Sequence, residues 1–350
     1  MKDPVILRRS FAWPMPAKLL WSPGFGRLLF SMELFGLLWI LAMNAGVNPI
    51  PRDDSFNPQA ALVKERPHHP HISLPSYDPA DSAVAWDRDR VYLELLSTPF
   101  GPRALHLDLV RPTHYHEGLL PVVFLIHGGG WRSGSRSNLY PMAHHLALRG
   151  YLAVPVEYRL ALEAKYPAAL HDIRAAIAWV RSQHQALGID PARLTLLGCS
   201  SGAHLVTLLG MTQSADRNES GNQASQVQAI INVDGVVSFV HEEAIAEREG
   251  SSASQWLGAR YEDNPKLWRE SSPLEHVNAL APPVMFINSS IPRFHAGRDD
   301  LIKRLTEFDI RSRVHTMEAT PHPFWLFDPW FDRVVDMVDQ CLEDWGVGTE

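Results

Sequence analysis

Cysteine is nearly absent from this 350-residue chain, and the two that occur, Cys199 and Cys341, exclude a disulfide framework while leaving the compartment open. No Cys-x-x-Cys or His-Glu-x-x-His pattern is present, which argues against a structural zinc or a zincin-type centre. Basic charge is in deficit: 32 Lys and Arg face 39 Asp and Glu, a net charge of −7, so nucleic acid is a poor candidate partner. Long apolar runs are scarce as well. The run "LFGLLWILAM" (34–43) follows Glu33 and is shorter than the ~20 residues a membrane-spanning helix needs. No internal repeat is found.

What is present is a 45% hydrophobic composition, enough for one large catalytic-size domain behind an N-terminal extension. Residues 1–31 carry Lys2, Arg8, Arg9, Lys18 and Arg27 against Asp3, and with the apolar run that follows, residues 1–47 read as a signal peptide or N-terminal anchor. A start at Met32 would fit too, and "RRSF" (8–11) resembles a twin-arginine signal. The expectation is a secreted or periplasmic protein, cytoplasmic being the alternative, with any membrane association confined to residues 28–47. Residues 48–84, rich in Pro, Asp, Ser and His, read as a solvated linker. His68, His69 and His71 sit there among prolines and are not expected to hold a metal.

Over residues 85–347 a catalytic domain is expected, and from Arg103 onward strand and helix alternate. "LPVVFLIH", "YLAVPVEY", "LTLLG", "VQAIINVD" and "PPVMFINS" are apolar runs without alternation, separated by helix-like segments with glycine stops. Such runs indicate a doubly wound, mostly parallel sheet with helices on both faces. Ligands in these sheets bind at the carboxyl ends of the strands, so the polar residues just past each strand carry the information.

After "LTLL" comes Gly198-Cys199-Ser200-Ser201-Gly202, a Gly-x-Ser-x-Gly elbow in which Ser200 is the nucleophile candidate. After "PVVFLI" comes His127-Gly128-Gly129-Gly130-Trp131. Acyl transfer builds an anionic oxygen, and a glycine turn lets backbone N–H groups approach it; Gly129, Gly130 and Ser201 are the expected donors of this oxyanion hole. A glycine loop alone fits a phosphate site as well, but its place upstream of an elbow favours acyl transfer.

"HGGGWRSGS", the stretch from "EYRLALEAKYP" to "LTLLGCSSGAHL", and "TPHPFW" resemble the α/β-hydrolase superfamily, in the branch of hormone-sensitive-lipase-like esterases and bacterial carbohydrate esterases. The resemblance spans about residues 85–345. It implies an α/β-hydrolase fold with a short helical cap insertion, and the order Ser, acid, His. His322, in the loop after the last strand, is then the base, with His315 the weaker choice. The acid departs from the family pattern, in which it follows "PPVMFINS": Pro292 stands where an aspartate is expected. Asp234, at the end of "AIINVD", is the preferred acid, the alternatives being Asp299 or Asp300, or no conventional acid at all.

The segments "INSSIPRFHAGRDD" and "TPHPFWLFDPWF" look like pectin-associated esterases. That likeness implies Arg293 and His295 as contacts for a sugar carboxylate and hydroxyl, and Trp131 and Trp325 as sugar-stacking faces. The function expected is hydrolysis of acetyl or methyl esters of carbohydrate, pectin or acetyl xylan among them, on a small-molecule or polysaccharide substrate and with no metal or organic cofactor. The alternatives are a peptidase or arylformamidase on the same fold, and a non-catalytic binding protein.

Overall fold

In a computed structural model, residues 49–115, 118–213, 225–247 and 251–349 are described; the expected signal or anchor segment lies outside them. Among the described residues no helix is long and apolar enough to cross a membrane. The central strand β3 (Leu120–Ile126) shows how the sequence builds the fold, since all seven of its residues are buried. Val122, Phe124 and Ile126 enter one core, while Val123 and Leu125 enter the other. Burying each such side chain contributes about 1.5–3 kcal/mol, so a run apolar at every position settles in the middle of a sheet covered on both faces.

Among the described residues eight strands form one sheet in the order β1-β2-β4-β3-β5-β6-β7-β8. β1 (Val84–Leu95) and β2 (Arg103–Pro112) are antiparallel to their neighbours, whereas β3, β4 (Leu152–Val156), β5 (Ile189–Cys199), β6 (Ala229–Val233), β7 (Val284–Ser289) and β8 (Ser312–Met317) run parallel. On one face pack α3 (Ala168–Ser182), α5 (Ser201–Thr212) and α8 (Arg298–Glu307), through Ile173, Ile177, Leu205, Leu208, Leu301 and Leu305. The other face is covered by α1 (Pro58–Glu65), α2 (Tyr140–Leu148) and α9 (Phe331–Asp344). A short helix α4 (His184–Leu187) follows α3, and α6 (Ser252–Leu257) and α7 (Pro265–Glu270) form the expected cap insertion. The doubly wound architecture read from the sequence is the one observed.

Two differences from the sequence reading have physical causes. Strand β1 escapes notice because Asp87, Arg88, Asp89 and Arg90 occupy its exposed middle. The stretch expected as a solvated linker is corrected as well: residues 50–84 belong to the same compact unit as the sheet. Ala61, Leu62 and Ile72 are buried in the second core, and the Asp53 carboxylate pairs with Arg132 at 2.6 Å. Three apolar residues among many prolines give no periodic signal, yet they suffice to seat the segment. His68 and His71 are exposed and His69 packs edge-on against Trp330, with no metal-binding cluster among the described residues.

Candidate active site

β5 ends at Cys199 and α5 begins at Ser201, leaving Ser200 on the turn with φ 54° and ψ −120°. Such a conformation costs about 1–3 kcal/mol and persists because the surroundings enforce it. The flanking glycines show how: a Cβ on Gly198 would lie 2.3 Å from the Gly202 carbonyl oxygen, and one on Gly202 would lie 2.1 Å from that of Ile126. No side chain fits at either position, so the elbow can press against the end of β3 and hold the Ser200 hydroxyl up from the sheet. Cys199 beside it points into the second core, where burial pushes its thiol well up and removes it as a nucleophile.

Ser200 Oγ donates to His322 Nε2 at 2.8 Å, and His322 Nδ1–H donates to Asp234 Oδ2 at 2.7 Å. The structure thus joins the nucleophile candidate, the base and the preferred acid in one chain of hydrogen bonds. His322 comes from the loop after β8, and Asp234 is the residue after β6, with φ 53° and 1% exposure. Ser289, at the end of β7, donates from its N–H to Asp234 Oδ1 at 2.9 Å and from its hydroxyl to Oδ2 at 2.8 Å. The alternative acids lie elsewhere: Asp299 is exposed and pairs with Arg298, and Asp300 is 3.7 Å from His241. His315 stays within β8.

Phe294 stacks on the His322 ring at 3.4 Å between centroids, and Trp325 meets it edge-on at 5.2 Å. The imidazole is therefore held by its face as well as its nitrogens. The guanidinium of Arg293 lies 4.4 Å from the centre of the Phe294 ring. Sequence reasoning missed Phe294, for which "PRFH" offers no signal beyond its aromatic character.

The glycine loop passes directly over the nucleophile. A Cβ on Gly128 would stand 2.9 Å from Ser200 Cβ and 2.8 Å from the Cys199 carbonyl oxygen, a close approach that the sequence reading did not assign to this residue. The Gly129 carbonyl accepts from Ser133 N–H at 3.0 Å and from the Ser133 hydroxyl at 2.8 Å. Because a peptide unit is planar and trans, fixing that carbonyl turns the Gly130 N–H the opposite way. Gly130 and Ser201 both line a hollow of about 210 Å³ with Ser200, whereas Gly129 does not. The first helical bond of α5 runs from His204 N–H to the Ser200 carbonyl at 3.1 Å, so the Ser201 N–H precedes the helical ladder and remains for a ligand.

Trp131, Val236, Phe239, Ala253, Trp268 and Phe294 make the hollow mostly apolar, and Arg293 brings a cation to it. Of the four expected sugar contacts, Arg293 and Trp131 line the hollow, whereas Trp325 and His295 do not. Trp131 lines the hollow, but one face stacks on Trp256 at 5.4 Å, and its indole N–H donates to His204 Nδ1 at 3.3 Å, so it braces the loop. Trp325 is 2% exposed and lies behind the imidazole, not in the hollow. His295 is half-buried and is not among the lining residues.

Two further imidazoles brace this region. His204 Nε2–H donates to the Ser271 carbonyl at 2.8 Å, and His127 Nδ1–H donates to the Gly128 carbonyl at 2.8 Å while stacking on Tyr158. Burial pushes both down to about 4. A group depressed in the folded state contributes stability present above its unfolded value near 6.5 and lost as pH falls toward 4. Unfolding in urea is therefore expected to need roughly 3 kcal/mol less per imidazole at pH 4 than at pH 7. A midpoint unchanged over that range would contradict the neutral, buried state of both rings.

The BD-FAE family matches residues 107–294, just over half of the chain, from β2 to Phe294. Esterase LipQ of Mycobacterium tuberculosis is 30% identical over 197 residues, covering 54% of this chain and 47% of its own. Esterase LipC of the same organism is 26% identical over 309 residues, 82% of this chain and 75% of its own. This chain spans about half the length of LipQ and of LipM, a further relative from the same organism. Among solved structures, an acetyl ester-xyloside bifunctional hydrolase from Caldicellulosiruptor lactoaceticus superposes with a TM-score of 0.62 at 21% identity, over 75% of this chain and 97% of that one. That likeness is one of fold.

Proposed function

The chain belongs to the BD-FAE family, and from that premise we propose that it is a serine carboxylic ester hydrolase acting on acetyl or methyl esters of carbohydrate. The observation that carries the proposal is the hydrogen-bonded sequence Ser200, His322, Asp234 at a hollow that Gly130 and Ser201 also line. His322 takes the Ser200 proton as Oγ attacks the ester carbonyl, and Asp234 holds the imidazole in the tautomer whose Nε2 is free to accept it. The carbonyl oxygen becomes an anion, stabilised by the N–H groups of Gly130 and Ser201 and by the dipole of α5; losing one such donor typically raises the barrier by about 3 kcal/mol. His322 returns the proton to the leaving alkoxide. Water then attacks the acyl-enzyme by the same route in reverse.

The carbohydrate assignment draws support from the xyloside-linked activity in the name of one fold neighbour and from the cation at the hollow. An arginine beside an ester site suits a uronate, the acid sugar of pectin, through paired N–H bonds to its carboxylate. Export, the expectation from residues 1–47, would bring the enzyme to such polymers. The test is release of acetate and methanol from pectin and acetyl xylan, with p-nitrophenyl acetate as the neutral reference. Arg293→Gln is expected to lower kcat/KM for uronate-bearing esters at least fivefold more than for neutral ones. An equal loss on both would remove the uronate.

A further inference from the structure

The carboxylate Asp234 stands one strand away from where the family pattern puts its acid, and the reason it can serve there is found on β7. In a regular parallel ladder, a residue donating its N–H to one carbonyl of the neighbouring strand accepts, at its own carbonyl, from the N–H two residues further along that neighbour. Asp234 N–H donates to the Ile287 carbonyl at 2.9 Å, so the next rung would run from Ser289 N–H to the Asp234 carbonyl. The backbone leaves the strand at Asp234, with φ 53°, and the Ser289 N–H goes to Oδ1 of the side chain instead. The catalytic carboxylate has taken a rung of the sheet.

The Ser289 hydroxyl completes the hold. It donates to Oδ2, the same oxygen that accepts from His322, and its own oxygen receives the Ile291 N–H at 3.4 Å, which leaves its proton for Asp234. Ser289 is 0% exposed, so no water competes for these bonds. We propose that Ser289 is the positioning residue of the triad: its two donors lock the carboxylate rotation that presents Oδ2 to His322 Nδ1. The strand expected to supply the acid supplies the donors that orient it. This assignment rests on the esterase reading above.

The test is a double-mutant cycle on the full chain with p-nitrophenyl acetate. Ser289→Ala is expected to lower kcat about tenfold with KM within twofold, the effect of losing a hydrogen bond to a charged group. Ser289→Cys, of similar shape but a weaker donor, falls between them at an unchanged melting temperature. In an Asp234→Asn background Ser289→Ala changes kcat less than twofold, because the carboxylate it orients is gone. Equal fractional losses in both backgrounds, or full kcat in either Ser289 variant, overturn the proposal. The imidazole Nδ1–H proton resonance, read by NMR, gives a measure apart from turnover. If wild type hydrolyses no ester, the esterase reading falls by itself; a shift of that resonance in Ser289→Ala then still supports the positioning role, and an unmoved one overturns it.

Discussion

Ser200→Ala is expected to reduce kcat for p-nitrophenyl acetate by roughly 10⁴- to 10⁶-fold while leaving the fold intact, since the nucleophile of a triad acts as a unit with its base. The size follows from the absence of a substitute at the site. Ser201 is 3% exposed and opens the helix, and Cys199 is turned into the core with its thiol pushed up by burial. Neither side chain bonds His322, which takes its proton from Ser200 alone among the described residues. The strained backbone at Ser200 survives the change because Gly198 and Gly202 enforce it, not the hydroxyl. The measurement is steady-state hydrolysis paired with covalent labelling by a fluorophosphonate. An alanine variant within tenfold of wild type, or one still labelled, would place the nucleophile elsewhere and remove the proposed mechanism.

The second large effect is Asp234→Asn, expected to lower kcat about 10⁴-fold by reversing the tautomer of the base. An asparagine amide donates toward His322 Nδ1, which forces the ring proton onto Nε2 and leaves nothing to accept the proton of Ser200. Here the structure separates three carboxylates that the sequence leaves in competition. Asp234 is 2.7 Å from the imidazole, whereas Asp299 and Asp300 are exposed on the first turn of α8. Asp299→Asn and Asp300→Asn should therefore stay within a few-fold of wild type. If the Asp299 or Asp300 variant falls and the Asp234 variant does not, the acid has been misassigned.

The readable parts of the site are those written in contiguous residues. Gly198 to Gly202 and His127 to Trp131 each form a local turn whose requirements, small residues at points of close approach, appear as glycines in the sequence. The apolar strands speak for the same reason: a strand covered on both faces must be hydrophobic at every position. The charged middle of β1 and the sparse apolar anchors of residues 50–84 lack any such local rule. The two tryptophans expected as sugar platforms illustrate the limit, because an aromatic residue near a site packs as readily behind it as into it. Trp325 supports the imidazole from behind, and Trp131 carries Trp256 on one face.

By itself, then, the sequence determined the parallel sheet, the elbow at Ser200 and the glycine loop, because each depends on neighbours within a few positions; the histidine in the loop after the last strand came from the family resemblance. Only the tertiary structure decided between the acids, brought Ser289 to Asp234 from 55 positions away and laid Phe294 on His322. Those contacts depend on the order in which β6, β7 and β8 pair and on where each strand ends, quantities set by the packing of the whole sheet and by no short stretch of chain.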